Sequence, residues 1–138
     1  MANTWKGWII DKSIQDTSIL TTLKVIREKV EENTSTGTKN VWTLFTVEVN
    51  YEDIDSVAKL LEKQIKQGYY CHFTNGKGLI VVFSGKSFVI RLKSVGEDKG
   101  FGITSFEAEP EDIPVWKSAV EYGTTKGKVN PKYILTVR

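Results

Sequence analysis

The sequence predicts one α+β domain over residues 1–138, built on an antiparallel sheet with a β-α-β-β-β core and arranged as a two-layer, ferredoxin-like sandwich. Three observations carry this. Residues 42–49 alternate strictly between two faces, as a strand does. Residues 54–65 carry one apolar stripe at helical spacing. Three short β-rich runs then follow, separated by Asn75-Gly76 and Gly85-Lys86. A chain of 138 residues fits a single domain, and at that size about 70% of the unfolded surface can be buried without covalent staples.

The elements follow in chain order. In the first strand, Phe45, Val47 and Val49 share one face, and Trp42, Leu44, Thr46 and Glu48 the other. Asn50 is placed to cap the helix, and Glu52, Asp53 and Asp55 fill the first turn, where the helix dipole favours acids. Ile54, Val57, Ala58, Leu61 and Ile65 form its stripe, and Gly68 is placed to end it. Residues 69–74 predict a strand, Asn75-Gly76 a type I′ turn, 79–83 a strand, Gly85-Lys86 a type II′ turn, and 88–92 a third strand. In residues 19–30, Ile19, Leu23, Ile26 and Val30 favour a helix, while the β-branched content and the turn-rich stretch 33–40 also allow a strand folding back on 42–49. Residues 96–102 predict a loop, 114–122 a short helix ended by Gly123, and 133–137 a last strand.

Two-residue turns fix the parity of the strands they join. They put Tyr70, His72, Leu79, Val81, Phe83, Phe88, Ile90 and Leu92 on one face, with His72 opposite Leu79 and Phe83 opposite Phe88. Tyr69, Cys71, Phe73, Ile80, Val82, Val89 and Arg91 occupy the other. A strand apolar on both sides is normally covered on both. The 54–65 helix covers one face; the second requires residues 19–30, the Trp116 helix or a second copy of the chain.

Bulk composition narrows the function classes. Nineteen Lys and Arg against seventeen Asp and Glu give a net charge of +2, which is not the footprint of a specific nucleic-acid reader. Lys126, Lys128, Lys132 and Arg138 form a basic C-terminal stretch that predicts a solvated tail or edge strand, with any contact to nucleic acid weak and salt-sensitive. The longest apolar run, 79–83, is far short of the roughly 20 residues that cross a membrane. A single cysteine, Cys71, rules out an internal disulfide and fits a reducing, cytoplasmic setting. Asn33-Thr34-Ser35 matches a glycosylation acceptor, but no secretory signal accompanies it and a polar loop is the expectation.

No catalytic, metal or phosphate signature survives a check of its spacing. His72 is the only histidine, and its neighbour Cys71 points to the opposite face of a strand, so the two cannot form a nucleophile–base pair or a zinc set. Ser84-Gly85-Lys86-Ser87 ends like a phosphate-binding loop, but Ile80 stands where the first glycine belongs and a strand follows instead of a helix. The acids Glu107, Glu109, Glu111 and Asp112 predict a solvated approach to a helix. The candidates that remain are His72 and Tyr70 as acid–base groups, and Trp42, Tyr70 and His72 as binding residues; no cofactor or metal is expected.

Trp42-x4-Val47-x-Val49, Tyr70-Cys71-His72-Phe73, the run 79–83 with Lys86 and Phe88, and Glu121-Tyr122-Gly123 resemble a family of small, uncharacterised prokaryotic proteins over roughly residues 42–123. The resemblance implies a prokaryotic cytosolic origin and no activity. Two functions remain: a non-enzymatic binding or assembly module using an apolar sheet face, with a homodimer as a candidate partner, and a small-molecule enzyme with His72 and Tyr70 in a cleft.

Overall fold

The computed structural model describes residues 4–33, 40–95, 105–130, 134 and 136–137, with side chains at 31–33, 40–42, 95 and 136–137 outside that description. Eight strands form one sheet: β1 Thr4–Ile10, β2 Lys24–Asn33, β3 Asn40–Asn50, β4 Tyr70–Thr74, β5 Gly78–Phe83, β6 Lys86–Val95, β7 Ser105–Ala108 and β8 Thr136–Val137. Two helices accompany them, α1 Ile54–Gln64 and α2 Ile113–Thr125. The strand order is β2-β3-β1-β4-β5-β6-β7-β8. All described pairings are antiparallel except β7 with β8. The α+β class and the antiparallel sheet are therefore as the sequence predicts.

Residues 19–30 resolve in favour of the strand. A 3-10 turn over Thr17–Thr22 leads into β2, which folds back on β3 with a bulge between Val25 and Arg27. β1 was not legible as a strand. It lies between β3 and β4, antiparallel to both, so β3 and β4 run parallel to each other. α1 thus makes a split β-α-β crossover. Gly7 makes the insertion possible: a Cβ there would meet the His72 carbonyl and the Phe73 ring.

The 54–65 stripe forms as predicted, with Ile54, Ala58, Leu61 and Ile65 buried. Its ends differ from expectation. Asn50 is extended and makes no side-chain cap, because a 3-10 turn over Tyr51–Asp53 comes first. The helix stops at Gln64 because Ile65 turns extended, bridges to Ile14 and is 1% exposed. Gly68 takes its positive φ of 91° in the turn beyond, not as the helix terminator.

The β4-β5-β6 meander is present, but each turn is displaced by one residue. Asn75 Oδ1 accepts the Lys77 and Gly78 N–H groups and centres the first turn on Gly76-Lys77. The second turn is Ser84-Gly85, with positive φ at Gly85 alone. His72 consequently faces Val81 and not Leu79, and Phe83 faces Lys86 and not Phe88. Each register moves by two residues, an even number, so the predicted faces survive.

Those faces form two cores. Cys71, Phe73, Ile80 and Val82 pack with α1, and the same core runs across to Val47 and Val49 of β3. Leu79, Val81, Phe83, Ile90 and Leu92 pack with Trp116 and Ala119 of α2. Of the three possible covers for the second face, the chain's own C-terminal helix is the one realised. The helices lie on opposite sides of β5, so the centre has three layers rather than the two expected. Nor does Gly123 end α2. It sits inside the helix because a side chain there would strike the Phe83 ring. The predicted loop at 96–102 lies outside the described residues.

Candidate functional site

Cross-strand pairing places the sequence-selected histidine in a defined row. Arg27 pairs with Thr46, Thr46 with Trp8, Trp8 with His72, His72 with Val81 and Val81 with Phe88. Directly paired residues share a face, so all six line the side that carries α2. Val81 and Phe88 belong to the α2 core. His72 and Thr46 lie beyond it and are still only 2% exposed.

The Trp8 indole N–H donates to His72 Nδ1 at 3.3 Å, with the rings edge to face at 5.8 Å. Burial pushes the imidazole down to about pKa 4, so it is neutral at pH 7. With Nδ1 accepting, the single ring proton belongs on Nε2. Nε2 has no hydrogen-bond partner among the described residues, and neither do Thr46 Oγ1 and Trp5 Nε1. Leaving a buried donor unpaired costs roughly 1–3 kcal/mol.

Tyr70 shares the face with His72, their ring centroids 6.4 Å apart. It stacks on Phe83 at 5.6 Å, which ties it to the α2 core. Trp42 pairs with Glu31 on β3, two strands from Tyr70, and its side chain lies outside the described residues. The structure therefore brings Tyr70 and His72 together and adds Trp8 and Thr46, which sequence reasoning missed. The alternation of Trp5, Gly7 and Ile9 against Lys6, Trp8 and Ile10 was the available signal.

Chemically the row is quiet. The described hydrogen bond to the imidazole comes from Trp8 and not from a carboxylate, and His72 lines neither of two described clefts. One, about 350 Å³, lies where β3 leads into α1, beside Lys24, Glu48, Asn50, Asp53 and Ser56. The other, about 240 Å³, lies between β6 and α2. Cys71 is buried on the opposite face, and loss of solvent pushes its thiol well above the usual range. The Ser84–Ser87 segment is the β5–β6 turn. Among the described residues no group of three His, Cys, Asp or Glu side chains is placed to hold a metal.

Part of the acidic run has a structural task. Asp112 Oδ2 accepts the Arg91 backbone N–H at 2.7 Å, and its carboxylate takes the guanidinium at 3.0 and 3.1 Å. The hydrogen bonds from Arg91 hold that carboxyl below its ordinary range. Glu107 accepts from Ser94 at 3.1 Å. No described helix is long and apolar enough to cross a membrane. Comparison with protein-family models, curated proteins and solved structures finds no match to this chain.

Proposed function

We infer that the protein is a non-enzymatic binding and assembly module that self-associates through the β2 margin of its sheet. The observation that carries this is β2 itself. It is ten residues long and, among the described residues, pairs only with β3. Ile26 and Val30 are 43% and 63% exposed. A strand of that length offers about 33 Å of backbone to a second strand.

The hydrogen-bond parity supports the reading. The Thr43 N–H points to Asp11 on the β1 side, so Thr43 and its partner Val30 turn their backbones away from each other. The Val30 N–H and C=O therefore face outward, where a second copy of the chain would pair with them. The apolar face first expected to serve this purpose is occupied by α2.

The test is sedimentation of the unmodified chain beside Val30→Pro and Val30→Lys. No partner for the outward N–H of Val30 is found among the described residues, so both variants should fold. A dimer at tens of micromolar that both variants dissociate supports the reading, and a monomeric parent at that concentration overturns it. The enzyme reading, with His72 and Tyr70 in a cleft, has no observation in its favour: His72 is buried and neither residue lines a described cleft.

A further inference from the structure

The opposite side of the meander has a second margin, and it is built differently. β6 pairs with β5 along residues 86–91, but among the described residues β7 reaches only Leu92, Ser94 and Val95 of β6. Residues 86–90 therefore have no strand on their outer side among the described residues. Parity again says which backbone groups are free to act. The Leu92 N–H donates inward to the Lys77 carbonyl at 2.9 Å. Residues 86, 88, 90 and 92 thus point toward β5, and 87, 89 and 91 point outward.

The outward groups of Arg91 are already satisfied. Asp112 takes its N–H, and the Glu109 N–H reaches its carbonyl at 3.0 Å. The next outward pairs, at Val89 and Ser87, are given no partner by the described residues. Val89 is 57% exposed. The capping thus stops two residues short of an available ladder.

That ladder runs beside the cleft of about 240 Å³ between β6 and α2. Its floor carries the half-buried Phe88 and Tyr122 rings, 5.8 Å apart. Lys86 Nζ lies 5.1 Å from the Phe88 centroid and 5.8 Å from that of Tyr122. Lys126 also lines the cleft, and Glu121 is the one acid in the lining. A strand laid on Ser87 and Val89 would turn alternate side chains into the cleft. One would meet the Phe88–Tyr122 floor, and the next along would meet the two lysines.

We propose that this margin binds an extended segment of a partner protein by strand addition to β6, seating an aromatic or aliphatic side chain over Phe88 and Tyr122 and a carboxylate between Lys86 and Lys126. The proposal goes beyond self-association at β2 and does not depend on it. Backbone pairing supplies the attachment, and the two lysines supply the preference for an acidic segment.

The probes are three amidated heptapeptides of alternating valine and threonine with a central phenylalanine. The first carries glutamate two positions after the phenylalanine. The second has lysine there. The third is the glutamate peptide N-methylated at alternate residues, so that its pairing N–H groups are gone. Binding is read by amide chemical shifts in the Val30→Lys background, which keeps β2 association out of the measurement. The glutamate peptide should shift and protect the Ser87 and Val89 amides. The lysine peptide should bind about tenfold more weakly or worse, and the N-methylated one should not bind.

Lys86→Glu combined with Lys126→Glu should reverse the order of the glutamate and lysine peptides. Both side chains are exposed, so the fold should survive. Val89→Pro should abolish binding while leaving the inward ladder to β5 in place. Three results would overturn the proposal: no binding by any peptide, shifts confined to β2, or equal binding by the glutamate and lysine peptides. Shifts at Ser87 and Val89 on raising the protein concentration alone would make the occupant a second copy and would equally overturn it.

Discussion

Cys71 and His72 are adjacent in the chain, equally buried, and sit in different surroundings. On the Cys71 side, α1 anchors a core that runs from β3 through β1 and β4 to β5. On the His72 side, the α2 core takes in Tyr70 of β4 and strands β5 to β7, and none of its described members comes from β1 or β3. His72 therefore lies past the end of its helix's cover, flanked by the Trp8 and Tyr70 rings. A sheet face is not uniform along its width. Its character at each strand is set by how far the covering helix reaches, and the buried polar atoms His72 Nε2 and Thr46 Oγ1 lie where α2 does not extend.

The largest test of this contrast is truncation of the two phenylalanines that anchor the cores. Phe73 and Phe83 are both fully buried. Phe73→Ala and Phe83→Ala should each lose about 3–5 kcal/mol of unfolding free energy by urea titration. If Phe83→Ala cost under about 1 kcal/mol, the α2 side would not be a core of the same kind.

The second test uses acid. The folded His72 titrates near pKa 4 against 6.5 for the ordinary imidazole. The unfolded chain therefore takes up its proton first as pH falls. The stability this contributes is complete above pH 6.5 and lost between about 6.5 and 4, to a total of roughly 3 kcal/mol. His72→Gln should flatten that part of the stability–pH curve, and an unchanged slope would show that the imidazole is not held neutral. Cys71 offers the matching observation on the other face. Its thiol should stay unreactive toward a thiol reagent at pH 8 until the protein unfolds.

The smallest effect sharpens the fit of α2 to the sheet. Gly123→Ala introduces a methyl against the Phe83 ring. It should cost about 1–3 kcal/mol through overpacking. The loss should shrink in a Phe83→Leu background, since the two sites share one contact. Additive losses would place the strain elsewhere.

Much of the centre of this fold was legible. The 54–65 stripe and the face assignments of β4 to β6 depend on local periodicity, and an even register slip cannot change a face. The turn centres were less legible, because Asn75 chose its partners by a side-chain geometry that a dipeptide rule does not contain. β1 escaped notice because Gly7 interrupts its apolar alternation, and the reason for that glycine is the distant His72 carbonyl. His72 and Tyr70 were correctly placed together, whereas Trp8 and Thr46 join them only through β1.

The sequence by itself determined the α+β class, the α1 stripe, the three-strand meander and which side of it each residue faces. Those follow from the periods of helix and strand and from composition, all local properties. Only the tertiary structure decided that residues 24–33 are a strand and not a helix, that β1 splits the β3–α1–β4 crossover, and that α2 roofs the second face. Each of those depends on which distant surface an amphipathic segment buries, and that choice is made by packing between elements rather than within them.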